Sequence, residues 1–118
     1  MNRRRSHWYM GLGLRSRRRD RPEDAVDVDV VHEPARRRFL ARWEEHESQL
    51  VYLEVDPHTV DFRNTYVHPS ARGKGVGEKL VRAALEWARA EGMTVIPSCW
   101  FVETVVRRHP EYQPLLGG

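Results

Sequence analysis

Cysteine is almost missing: Cys99 is the only one in 118 residues. That excludes an intramolecular disulfide and any multi-cysteine zinc site, and it points to a reducing compartment, read here as cytoplasmic. No apolar run approaches the ~20 residues a membrane-spanning helix needs, so no membrane partner is expected. The six histidines, at 7, 32, 46, 58, 68 and 109, lack the paired spacing that holds a metal, and none is expected. Internal repeats are absent too. Glycine is sparse, with eight in the chain, yet three of them alternate within "HPSARGKGVGEKL". Glycine weakens regular structure unless a backbone bends sharply or comes close to something, so that cluster asks for a reason.

The chain is long enough for one core and too short for a large second module. Hydrophobic residues make up 40% and charged residues 31%, the balance of a soluble globular protein. The net charge of +3 conceals an asymmetry. Residues 1–21 hold eight arginines against Asp20, a surplus of seven, whereas residues 22–118 hold twelve basic and sixteen acidic side chains. Residues 1–24 therefore read as a basic, solvated, disordered arm, and 25–118 as the domain. The apolar "HWYMGLGL" in the arm is short, "RSRRRD" follows it, and no small-residue cleavage site appears, which argues against a secretory leader. An upstream extension with the working start at Met10 is the second reading of the arm. Nucleic acid, or another anionic surface, is expected as a partner only through residues 1–21.

Val26, Val28 and Val30 alternate with acids, the period of a half-buried strand. Further strand-like runs surround Phe39, Ala41 and Trp43, then cover Leu50 to Val55, with "EEHES" between them as a hairpin loop. Asp56 and Pro57 make a turn into a fourth strand that ends near Val67. The period then changes to 3.6: Val76, Leu80, Ala83, Ala84, Trp87 and Ala88 line one face of a helix running from Val76 to Met93, with Gly92 as its stop. "TVIPSCW" reads as a fifth strand, and "FVETVVRRHP" as a helix ending before Pro110. The expected fold is α+β: four mostly antiparallel strands, then helix, strand, helix.

The glycines fall at the corner between the fourth strand and that helix, where unpaired amides and the positive dipole end point outward. Gly73, Gly75 and Gly77 would let main chain approach an anion such as a pyrophosphate, with Arg72, Lys74, Lys79 and Arg82 as a cationic rim. The bland alternative gives the glycines only a tight turn and helix packing. A Walker loop fits poorly, because Lys74 precedes Gly75 and Glu78 follows Gly77. So does a dinucleotide-binding fingerprint, whose spacing and βαβ setting are missing.

Arg72, Gly75 and Gly77 match the (Q/R)xxGx(G/A) acyl-CoA signature, and "ARGKGVGEKLVRAALEWARAEGM" resembles the GNAT N-acyltransferases. Together with "VIPSCWFVETVVRRHPEY" the chain is similar to a small single-domain subgroup of that superfamily, over roughly residues 26–115. The resemblance implies direct acyl transfer from acetyl-CoA, as co-substrate, to an amine of a protein or small molecule. It implies that the backbone of Gly73, Lys74, Gly75, Val76 and Gly77 cradles the pyrophosphate with Arg72 at its start. It also implies that Tyr66, Val67 and the 96–99 segment flank the pantetheine arm, and that main chain near Val67 holds the acyl carbonyl.

A lysine-type amine, with a pKa of about 10.4, must lose a proton before attacking a thioester, and the developing oxyanion needs a donor. Many relatives place a tyrosine on the last helix as acid, and "CWFVETVV" has none. Many subgroup members carry histidine where Asn64 stands, and an amide is no general base. The catalytic candidates are therefore Cys99, Asn64 and His68, with Glu54 or an ordered water as other sources of base. Cys99 has two readings, an activated thiol beside the acyl group or a buried small hydrophobe. Tyr112 is expected to pack the C-terminus, and Trp43, Trp87 and Trp100 to serve as core or groove wall. "HEPARRR" leaves room only for a turn where larger relatives build an acceptor pocket, so the acceptor side should be open. The alternatives are an acyl-CoA-binding module without catalysis and a nucleic-acid-binding accessory protein acting through the arm.

Overall fold

The computed structural model describes residues 26–117, so the arginine arm lies outside the described residues. Four strands follow one another as an antiparallel meander: β1 (Val30–Glu33), β2 (Arg38–Trp43), β3 (His46–Asp56) and β4 (Thr59–Tyr66). Helix α1 (Val76–Ala90) then carries the chain to β5 (Thr94–Ile96), which pairs parallel with β4 at the sheet edge. Helix α2 (Trp100–Arg108) and a 3₁₀ segment (Pro110–Leu116) complete the fold, and the sheet order is β1-β2-β3-β4-β5.

Local chemistry accounts for the corners. Pro34 opens the 3₁₀ turn between β1 and β2, and Arg37 leaves it in the left-handed region. Asp56 Oδ1 accepts from the His58 amide at 2.8 Å, closing the β3–β4 turn as an Asx turn. Gly92, with φ +69°, ends the turn after α1.

The structure corrects four boundaries, one of them at β5, which ends at Ile96 before Pro97 and leaves Trp100 to open α2. The first strand begins at Val30 rather than Val26, because the Val26 amide bonds to the Lys74 carbonyl instead of to β2. Val28 is buried all the same. The β2–β3 link is Glu44 and Glu45 alone, and β3 takes in the rest of "EEHES", with Glu47 paired across to Arg42. The helix stops at Ala90, and the Met93 amide returns to the Ala88 carbonyl.

Phe39, Ala41, Leu50, Tyr52, Val60 and Phe62 turn one face of the sheet toward α1, which answers with Val76, Leu80, Ala83, Ala84 and Ala88. Val81 and Leu85 are buried as well, on the side where α2 and the C-terminal segment pack, so the apolar arc of α1 is wider than the predicted stripe. Among the described residues no helix lies on the other face of the sheet, and none is long and apolar enough to cross a membrane.

His32 shows how this core sets a pH response. Its ring stacks on Phe39 at 4.2 Å, meets Trp87 edge-on, and Nε2 bonds the Tyr52 hydroxyl at 2.7 Å. Burial lowers its pKa to about 4, whereas burial, then repulsion from Glu54, raises that of Tyr52 to about 12. The folded state therefore keeps His32 neutral, while the unfolded chain protonates near pH 6.5. Stability should be fully present above that pH and fall as pH drops toward 4, by about 1–2 kcal/mol once the ring's remaining solvent contact is allowed for. Urea midpoints measured against pH should show this limb in the native protein and a flatter one in His32→Gln. Identical limbs would assign the acid sensitivity elsewhere.

Candidate functional site

The strand-to-helix corner is built from consecutive tight turns. Ala71, Arg72 and Lys74 donate their amides to the carbonyls of His68, Pro69 and Ala71 in turn. Gly73 and Gly75 then adopt φ +79° and +83°, which a side chain would strain. Gly75 is the N-cap of α1 and offers no capping side chain, so the first-turn amides of a fifteen-residue helix face outward.

Gly77 differs from the other two. A Cβ there would lie 3.0 Å from both Phe101 Cε2 and Val67 Cγ2, so its lack of a side chain lets α1 seat against α2 and the end of β4. The predicted cationic rim is also rearranged. Arg72 Nε donates to the Val67 carbonyl at 3.0 Å, and Lys74 Nζ sits 5.2 Å above the Trp43 ring. Lys79 pairs with Asp27 and Arg82 with Glu78, on flanks of α1 that packing engages.

Beside this corner the sheet opens. The β4–β5 pairing ends at Asp61 and Ile96, and the Cys99 amide then bonds the Phe62 carbonyl at 2.9 Å. Past that bond β4 continues from Arg63 to Tyr66 with no strand partner on its β5 side among the described residues. An irregularity accompanies the opening: Val51 pairs with Asn64 but Tyr52 with Phe62, so Arg63 is an extra residue, a β-bulge. The α1 N-terminus therefore stands at the mouth of a gap whose wall is free β4 edge. Main-chain amides at a helix start suit a pyrophosphate, and an unpaired strand edge suits an extended amide-bearing chain.

The predicted site residues divide accordingly. Tyr66, Val67, Arg72, Gly73, Lys74, Gly75, Val76 and Gly77 cluster around the mouth. Cys99 caps α2 at the closed end, buried, with Sγ 3.4 Å from Thr65 Oγ1. Asn64 is exposed and shares the uncovered face with its partner Val51. Glu54 pairs with Val60, on the far side of the closed end, and does not reach the gap. His68 stacks on His46 at 4.0 Å, and its Nδ1 accepts from the Ser70 amide, which puts the neutral ring's proton on Nε2. Partial desolvation, then His46 and Arg72, hold its pKa below the usual histidine range. A ring whose lone pair is already engaged is a weak base.

Trp100 is 73% exposed and so is not core, while Trp87 packs against His32 and Phe39 and Trp43 lies under Lys74. Sequence reasoning missed Thr65, Ser48 and His46. The Ser48 hydroxyl takes the His68 amide at 3.0 Å and anchors the chain just before the turn.

Comparison with known proteins agrees with this geometry. A family model described as GCN5-related N-acetyl-transferase matches residues 38–115. The chain is similar to Protein NATD1 of Bos taurus, 30% identical over 91 residues, which covers 75% of this chain and 80% of that protein. It is also 30% identical over 87 residues to Protein NATD1 of Danio rerio, covering 70% and 79%. The NMR solution structure of a GCN5-like protein from Staphylococcus aureus superposes with a TM-score of 0.55 at 23% identity, over 73% of this chain and 84% of that one, a likeness of fold.

Proposed function

The chain belongs to the GCN5-related N-acetyltransferase family, and from that premise we propose that it transfers an acetyl group directly from acetyl-CoA to an amine. The observation that carries this reading is the junction of two features: the left-handed turn at Gly73 and Gly75 that bares the start of α1, and the unpaired β4 edge beside it. In this reading the amides from Gly73 to Gly77 hold the pyrophosphate. The edge from Asn64 to Val67 receives the pantetheine arm, and the thioester lies toward the closed end, near Thr65 and Cys99. A β4 main-chain amide there supplies the donor for the developing oxyanion. Direct transfer needs no covalent enzyme intermediate, and the buried Cys99 thiol, already engaged by Thr65, serves better as a proton source for the departing thiolate than as an acyl carrier.

Calorimetric titration with acetyl-CoA tests the donor site, and thiol release on adding amines tests turnover. Saturable binding followed by amine-dependent release supports the enzyme. Binding without release favours the second reading, an acyl-CoA-binding module, for which the exposed Asn64 and the engaged lone pair of His68 speak. The absence of binding by folded protein would exclude both.

A further inference from the structure

The sheet has a second opening, between β1 and β2, at the edge remote from the β4–β5 gap. The β1–β2 ladder ends at Val30 and Ala41, although the same register continued would set Asp29 opposite Arg42 and Asp27 opposite Glu44. The chain before Val30 swings away instead, toward the glycine turn, where the Val26 amide bonds the Lys74 carbonyl at 3.1 Å. The parting leaves a cleft of about 600 Å³. Its floor is apolar, made by Val28 and by the facing pair Val31 and Leu40. Its rim is acidic: Asp27, Asp29, Glu33 and Glu44 stand there with Arg42 as the one cation. Arg42 is engaged by Glu47, Glu33 by Arg38 at 2.6 Å, and Asp27 faces Lys79 at 3.9 Å, whereas Asp29 and Glu44 form no ion pair among the described residues. The cleft therefore joins apolar surface to a surplus of negative charge.

We propose that this cleft is the docking site of the chain's own arginine-rich arm, residues 1–21, which folds back onto it in cis. Charge selects that occupant. The arm carries a surplus of seven positive charges, whereas in residues 22–118 sixteen acids outnumber twelve bases. Sequence pattern selects it as well, because "HWYMGLGL" lies between the arginines at 3–5 and those at 15–19. Its apolar side chains can cover Val31 and Leu40 while the flanking guanidiniums meet Asp29 and Glu44 at the rim. Reach is the third reason. Arg21 precedes Val26 by five residues, no more than about 18 Å of extended chain, and Asp27 is itself part of the cleft, so the arm starts at its lip. A tether of that length gives an effective concentration on the order of millimolar, enough for surface contacts that are individually weak to act together. An anionic partner of the arm would then have to displace it from the domain.

The test uses the full chain with Ser16→Cys carrying a nitroxide, Cys99 being buried, and reads paramagnetic broadening of the backbone amides by NMR. Broadening over residues 27–33 and 40–44 is expected, with recovery once the nitroxide is reduced. It should vanish in about 1 M salt, where the screening length falls to about 3 Å. Reversing the rim with Asp29→Lys and Glu44→Lys should lower the ratio of docked to free arm about five- to tenfold. A mixture of isotope-labelled chain without nitroxide and nitroxide-bearing chain without isotope separates cis from trans. Cleft broadening in that mixture would overturn the assignment in favour of a second copy's arm. Broadening centred on residues 72–77 or on another surface would overturn it too, as would cleft broadening that survives both salt and charge reversal. No broadening at all would overturn it and leave the arm to an external anionic partner. Should the lysine variant unfold, the salt series and the mixture, both run with the rim intact, decide alone.

Discussion

Replacing Gly75 by glutamate should abolish saturable acetyl-CoA binding in a protein that still folds. Two effects coincide at this position. The residue holds φ +83°, where an L side chain costs about 1–2 kcal/mol, so the melting temperature falls by several degrees. That same residue caps α1, and the new carboxylate stands where the helix dipole and the bared amides would otherwise receive a phosphate. The loss of affinity should be on the order of 100-fold or more, which corresponds to about 2.7 kcal/mol. The neighbouring glycines separate strain from blockade. A Cβ at Gly73 meets nothing within 4 Å, so Gly73→Ala should show the backbone strain alone. Gly77→Ala presses on Phe101 and Val67 at 3.0 Å, and should cost about 1–3 kcal/mol through repacking of the α1–α2 contact. Titration of all three variants alongside thermal melts checks the set. If Gly75→Glu binds acetyl-CoA within threefold of the native protein, the turn is not the donor site.

The parts of this molecule that were legible beforehand share one property: each depends on a short stretch of chain. Alternation in β2, β3 and β4, the 3.6 period of α1 and the glycine-rich corner are written into neighbouring residues, and the structure places them as read, apart from the boundaries of β1, β3, α1 and β5. The left-handed angles at Gly73 and Gly75 were legible because few other residues adopt them. Gly77 belongs to another class. Its constraint comes from Phe101, twenty-four positions away, and nothing local distinguishes a packing glycine from one that approaches a ligand. The bulge at Arg63 is invisible for a similar reason, since it exists only in the register between two strands. Asp61 in "TVDFRN" reads as an ordinary outward strand residue, and the burial of its Oδ1, with no hydrogen-bond donor among the described residues, emerges only when Leu53, Ile96 and Arg63 are placed around it. The Cys99–Thr65 contact and the His46–His68 stack likewise join residues far apart in sequence.

Tyr112→Ala should be the most damaging substitution in the C-terminal segment, with a loss of about 3–5 kcal/mol of stability. The ring is fully buried, its hydroxyl donates to Glu86 Oε2 at 2.8 Å, and the Arg89 guanidinium lies 5.1 Å above it. Burial raises its pKa to about 12, so it remains a neutral donor throughout the useful pH range. Tyr112→Phe keeps the ring and loses the hydroxyl's hydrogen bonds to Glu86 and from Arg82, but Glu86 retains Arg89 at 3.4 Å and Arg82 retains Glu78, so about 1–2 kcal/mol should go. Urea unfolding of the two variants separates volume from polarity, and equal losses would show that the ring is not the anchor. A domain of this size holds roughly 5–15 kcal/mol in total, so the alanine variant should be marginal at 37 °C. The consequence reaches the proposed donor site. Glu78, in the first turn of α1, bonds His109 at 3.0 Å and faces Arg108 at 3.4 Å, and these residues join the end of α2 to the segment that Tyr112 anchors. Loosening that segment frees α2, and with it the Phe101 ring that seats against Gly77. Acetyl-CoA affinity in Tyr112→Ala should therefore fall even at temperatures where the protein remains folded, whereas in Tyr112→Phe it should hold.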